Sequence, residues 1–190
     1  MAWNFEEHDT PTMSEHLFAI ERISSRAAEF WRRAHGWAPK EVAELLSEAR
    51  LDWVASFNRT LPFRVQEVAE YPDEHGALIL AWAHLRALVE GTLKLFLSVF
   101  LLNYLDDPNA PKDRRGTVMP DVLPLEKIRQ FLKKSGILAT HLGFIEHVQQ
   151  RGNAIHAFAD RPIGTADEFM EYVVLYRYFL QDVDDNLPTP

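Results

Sequence analysis

Residues 77–104 form an almost unbroken apolar run, in which Leu78, Ile79, Leu80, Trp82, Leu85, Leu88, Val89, Leu93, Phe96, Leu97, Val99 and Phe100 fall on nearly every side of a helix. A helix that is apolar all round must be surrounded by protein or by lipid. His84, Arg86, Glu90 and Lys94 lie inside the run, and four such groups are expensive in a bilayer. The run therefore predicts a buried helix over 74–105, at the centre of a helical bundle and with no membrane partner.

The flanking sequence repeats its apolar residues every three or four positions, the period of helices that bury one face. Ser14 can cap a first segment running to about residue 35, with Leu17, Ile20, Ile23, Ala27, Phe30 and Trp31 inward, and Gly36 ends it. Pro39 and Glu41 open a second, carrying Val42, Leu45, Leu46, Ala49, Trp53, Val54 and Phe57, and the two predict an αα-hairpin. Pro62 and Pro72 predict an irregular link over 61–73. Residues 106–123 hold Pro108, Pro111, Pro120 and Gly116 and predict a long, mobile, basic loop. Pro124 starts a short helix closed by Gly136, a further helix covers 140–158, and the Thr165-x-x-Glu168 capping box opens a last helix to about residue 183. No hairpin signal of the Asn-Gly type is present. The expected architecture is all-α: an N-terminal helical extension and linker over 1–73, a bundle of about four core helices over 74–187, and a tail over 188–190.

Composition removes several chemistries. Without cysteine there is no disulfide framework, thiolate nucleophile or Cys-ligated metal. No His-Glu-x-x-His occurs, and His84, His141, His147 and His156 lack a second histidine three or four residues away, so no metal or other cofactor is expected. Glycine-rich phosphate loops and the nucleophile elbow are missing too. The first eleven residues are acidic and lack an apolar core, which predicts no secretory signal and a cytoplasmic address. Net charge is −8, yet residues 111–161 carry nine basic side chains against five acidic ones. Lys112, Arg114, Arg115, Lys133 and Lys134 are the candidate contacts to an RNA backbone, the alternative being a solvated loop and helix face.

The remaining chemistry sits in Arg151-Gly152-Asn153-Ala154-Ile155-His156. Arginine offers a planar fork to phosphate, and histidine exchanges a proton near neutral pH. Five residues advance roughly 500° around an α-helix, which leaves Arg151 and His156 about 140° apart, whereas Asn153 and His156 are neighbours. Either the arginine reaches round, or the helix departs from ideality at Gly152, or partners meet across a two-fold axis. Glycine within a helix costs about 1 kcal/mol relative to alanine, so Gly152 points to close backbone approach or a bend. In the alternative reading Arg151 and Asn153 bridge neighbouring helices and His156 is a satisfied core histidine.

The segment RGNAIHAF resembles the R-x4-H pattern of the HEPN superfamily of helical nucleotide-binding domains and ribonucleases. Glu90-Gly-Thr-Leu-Lys94 resembles the E-x3-K/R element on an earlier helix of that superfamily, although such a pair also stabilises any helix by a few tenths of a kcal/mol. The resemblance covers about residues 74–187. It implies a dimer that joins two motif copies in a cleft, and, in catalytic members, metal-independent RNA cleavage by the ribose 2′-hydroxyl. Carried over, His156 would be the general acid or base, Arg151 would stabilise phosphate charge, and Glu90 and Lys94 would support the cleft. Superfamily members often place a polar residue directly after the arginine. Here Gly152 stands there and Asn153 follows. The resemblance also implies toxin–antitoxin or antiviral settings, with an antitoxin or other protein as partner. Two further readings are a non-catalytic HEPN-like module that binds a nucleotide or protein, and an unrelated helical scaffold.

Overall fold

The structure, a computed structural model, describes residues 11–156 and 160–188. Among these are eight α-helices and one two-residue β-ribbon, so the chain is an all-α bundle. In order they are α1 (Met13–Trp31), α2 (Lys40–Glu48), α3 (Leu51–Glu70), α4 (His75–Val99), α5 (Leu101–Asp106), the strands β1 (Lys112–Asp113) and β2 (Gly116–Thr117), α6 (Leu125–Ser135), α7 (Leu142–Gly152) and α8 (Ala166–Asn186). The sequence-expected ends at 157–158, like residues 1–10 and 189–190, lie outside the described residues.

Helix α4 is the axis. It packs on α2, α3, α7 and α8, and Trp82, Leu85, Val89 and Leu93 along it are fully buried. The all-round apolar run thus has neighbours on most sides. One hydrophobic core joins Ile20 and Trp31 of α1, Leu61 of α3, Leu85 of α4, Phe131 of α6, Ile145 of α7 and Phe179 of α8.

Several boundaries differ from those the sequence predicts. Thr12, not Ser14, caps α1, and its side chain and that of Glu15 exchange capping bonds with each other's backbone N–H. The second predicted segment breaks after Glu48, and α3 then continues to Glu70 straight through Pro62. A mid-helix proline costs about 3 kcal/mol. Burial of Leu61, Val65 and Val68, at about 1.5–3 kcal/mol each, outweighs it. It is α3, rather than α2, that packs along α1. The stretch after α5 also folds back on the body: β1 pairs antiparallel with β2, Val118 N–H donates to Pro111 O at 2.8 Å, and the Tyr104 hydroxyl donates to Val118 O at 2.6 Å. With Ala110, Pro120 and Leu123 buried, this segment is an anchored ribbon instead of the expected mobile loop.

A buried polar chain crosses four helices. The Tyr176 hydroxyl donates to Asn58 Oδ1 at 2.9 Å, Asn58 Nδ2 donates to Ser24 Oγ at 2.8 Å, and Thr92 Oγ1 lies 3.3 Å from the Tyr176 oxygen. Tyr176→Phe leaves Asn58 Oδ1 buried without a donor, which costs about 1–2 kcal/mol. A melting-temperature fall of several degrees by calorimetry is the expected outcome.

His84, buried between α3 and α4, has its Nε2 2.9 Å from Phe57 O. Burial holds its pKa below the ordinary histidine value; the Phe57 carbonyl opposes the shift and the Arg64 charge reinforces it. The folded state then binds fewer protons than the unfolded chain. The stabilisation is complete above the unfolded pKa and is lost as pH falls toward the lowered one. Melting is therefore expected at lower temperature at about pH 5.5 than at about pH 7.5, and His84→Gln should flatten that slope.

Candidate functional site

Helix α7 carries the Arg151 motif along α4, and the contact at Gly152 decides its shape. A Cβ on Gly152 would lie 2.5 Å from Arg86 Cβ, 2.6 Å from Arg86 Cδ and 3.0 Å from Trp82 O. The bare backbone lets the two helices touch. Directly after it the α-helix tightens into a 3₁₀ turn over Asn153–His156. Of the two alternatives for this glycine, close approach or a bend, the structure shows the close approach, with the change from α to 3₁₀ directly after it.

Arg151 occupies the last turn of α7 and is held on several sides. Its Nη2 donates to Glu168 Oε1 at 2.8 Å and Oε2 at 3.1 Å, and its Nη1 donates to Pro162 O at 2.6 Å. Its Nε faces Glu168 Oε1 and His147 Nε2, both at 3.3 Å. His147 Nε2 in turn lies 2.6 Å from Glu168 Oε1. One imidazole nitrogen cannot donate to the carboxylate and accept from arginine at once, so the shorter contact makes His147 Nε2 the donor. The His147 ring stacks on Tyr172 with centroids 4.2 Å apart. Burial pushes the Glu168 carboxyl up, but the Arg151 donors and charge, with His147, outweigh it and hold its pKa below the usual glutamate range.

Local sequence explains how Glu168 arrives there. Thr165 caps α8, with its Oγ1 accepting from Glu168 N–H at 3.2 Å, which fixes the first turn of that helix beside α7. Gly164 has φ +73°, and a Cβ there would collide with the Glu168 carboxylate. The turn Pro162–Thr165 thus passes close over the Arg151–Glu168 pair.

The other predicted residues are spread around this centre. Asn153 is the C-cap of α7 and half-buried, while His156 ends the 3₁₀ turn and is exposed. A buried core histidine is therefore not its role. Glu90 Oε1 pairs with Lys94 Nζ at 2.9 Å, and Glu90 Oε2 accepts from Leu125 N–H at 3.3 Å at the start of α6. Arg86 Nη2 lies 3.8 Å from Glu90, so one side chain both underlies Gly152 and reaches the E-x3-K element. Lys112, Arg114 and Arg115 are exposed on the β-ribbon and its turn, and Lys133 and Lys134 are exposed in the last turn of α6. Arg129 is committed elsewhere: it bonds Gln149 at 2.9 Å and Glu146 at 2.8 Å, tying α6 to α7.

The motif reading did not reach His147, Glu168 and Arg86. His147 stands four residues before Arg151, so a shared helix face was legible. Glu168 was readable only as a capping residue, and Arg86 only as one charge in an apolar run. Among the described residues no group of three or more metal-ligating side chains occurs, and no described helix is long and apolar enough to cross a membrane. Comparison with family models, with curated proteins and with solved structures finds no match for the chain.

Proposed function

We propose that the chain is a HEPN-like, metal-independent endoribonuclease that acts as a homodimer. The observation that carries this reading is the placement of His156: exposed, just beyond the Arg151 helix, on a turn packed against the helix of Glu90 and Lys94. An imidazole there can take the proton of a ribose 2′-hydroxyl. The 2′-oxygen then attacks phosphorus, the 5′-oxygen leaves with a proton, and a cyclic phosphate remains. Arginine offsets charge on the phosphorane. Ile155, the neighbour of His156, is 40% exposed, an apolar surface suited to cover by a second copy. The exposed cations of the ribbon and of α6 supply backbone attraction that the net charge of −8 otherwise lacks. A toxin–antitoxin or antiviral setting follows from the resemblance alone.

One observation favours a second reading, a non-catalytic HEPN-like module that binds a nucleotide or partner protein. Arg151 is already satisfied by Glu168 and Pro162. The deciding experiment is incubation of end-labelled, mixed-sequence RNA with purified protein at low salt in EDTA, with light scattering for subunit count. Cutting by a dimer, absent in Arg151→Ala and His156→Ala proteins of native fold, supports the ribonuclease. Intact RNA with a folded dimer favours the binding module.

A further inference from the structure

The carboxylate of Glu168 lies along the edge of Arg151 formed by Nε and Nη2, with contacts of 2.8, 3.1 and 3.3 Å, and His147 Nε2 completes the seat at 2.6 Å. Nη2 reaches both carboxylate oxygens and Nε shares the nearer one, so this edge of the guanidinium holds a two-oxygen anion, as it would two oxygens of a phosphate. The remaining amino group is anchored by Pro162 O, so the fork is aimed before any ligand arrives. We infer that this is a phosphate site occupied in the resting protein by its own carboxylate, and that Glu168 is a built-in competitor which RNA must displace. The inference rests on the ribonuclease or binding-module reading of Arg151 and specifies how that residue is regulated.

Two local features suit an exchangeable occupant. Only the side-chain torsions of Glu168 carry its carboxylate from the capped first turn of α8 to Arg151, and Gly164 has no side chain where that carboxylate sits, so the turn leaves room above the guanidinium. The contacts are also charge-assisted on both sides. A phosphodiester brings the same negative charge and the same two oxygens, so exchange preserves the pairing of Arg151 and leaves no cation unmatched. His147, stacked on Tyr172, keeps a donor in place for either anion.

The test is binding of a fluorescent 2′-O-methylated RNA oligonucleotide, which no 2′-hydroxyl mechanism can cut, to wild type, Glu168→Gln and Glu171→Gln. Glu171 is exposed one turn further along α8, and its substitution removes the same charge without touching Arg151. Glu168→Gln is expected to bind at least about tenfold more tightly than wild type, Glu171→Gln within about twofold, and Arg151→Ala in the Glu168→Gln background is expected to abolish the gain. Equal gains in the two single variants, or no gain in a folded Glu168→Gln protein, would overturn the inference. If Glu168→Gln does not fold, Glu168→Asp keeps the charge and the cap but shortens the reach; it should also bind more tightly, and unchanged binding there is equally fatal. Cleavage of unmodified RNA is scored separately. Tighter binding without cutting upholds the competitor and removes the ribonuclease.

Discussion

His156→Ala is expected to lower RNA cleavage by about 10²–10⁴-fold, the range for loss of a general acid or base, while the melting temperature stays within about a degree of wild type. The two halves of this outcome have separate causes. The loss of rate follows from removing the one motif group able to carry a proton near neutral pH. The unchanged stability follows from exposure, since an imidazole at the surface of a 3₁₀ turn leaves no cavity behind. Arg151→Ala should behave differently. It strands Glu168 and the Pro162 carbonyl, so activity and melting temperature fall together. Parallel loss of stability in His156→Ala, with rate loss no larger than the unfolded fraction explains, would return His156 to a structural role. Calorimetry on the same preparations used for the RNA assay separates these outcomes.

Gly152→Ala is expected to destabilise the fold by ~3 kcal/mol, although alanine is the better helix former by about 1 kcal/mol. The added methyl meets Arg86 at Cβ, the least mobile part of that side chain, and the backbone oxygen of Trp82. Neither can step aside without shifting α4, whose Trp82, Leu85 and Val89 are locked in the core. Melting should drop by roughly 6–12 °C at this chain length. Gly143, on the exposed side of the same helix with open space where a Cβ would stand, is the control: Gly143→Ala should be neutral or mildly stabilising. Equal behaviour of the two variants would show that α4 and α7 are not in the contact described.

The parts of the fold legible in the sequence are those governed by local rules. The all-round apolar run became the central helix, Thr165-x-x-Glu168 became a cap, and Gly136 ends α6 in the left-handed conformation. Pro62 misled because the local penalty of a helical proline is visible in the sequence, whereas the burial of Leu61, Val65 and Val68 that overrides it is a property of packing. The ribbon after α5 was illegible for a related reason: its turn signal, Asp113 accepting from Arg115 N–H at 2.7 Å and Gly116 at positive φ, is not of the Asn-Gly type, and its anchor to the body is the Tyr104 hydroxyl on Val118 O. At the site, the cost of a glycine within a helix pointed to Gly152 as a place of close approach or a bend, and the close approach is there. It could not find Glu168, which reaches Arg151 from another helix seventeen residues later in the chain.

Helices α1 and α8 lie against one another, joined by the ion pair of Arg26 with Asp184 and by the rings of His16 and Tyr178. During synthesis at roughly 5–20 residues per second, α1 therefore meets α3 soon after it is made and α8 only after the helices between them have followed. The same late helix brings Tyr176 and Phe179 to the core and Glu168 to Arg151. A nascent chain halted before α8 has neither a closed core nor an occupied arginine, so the two are completed in one step, by the same helix.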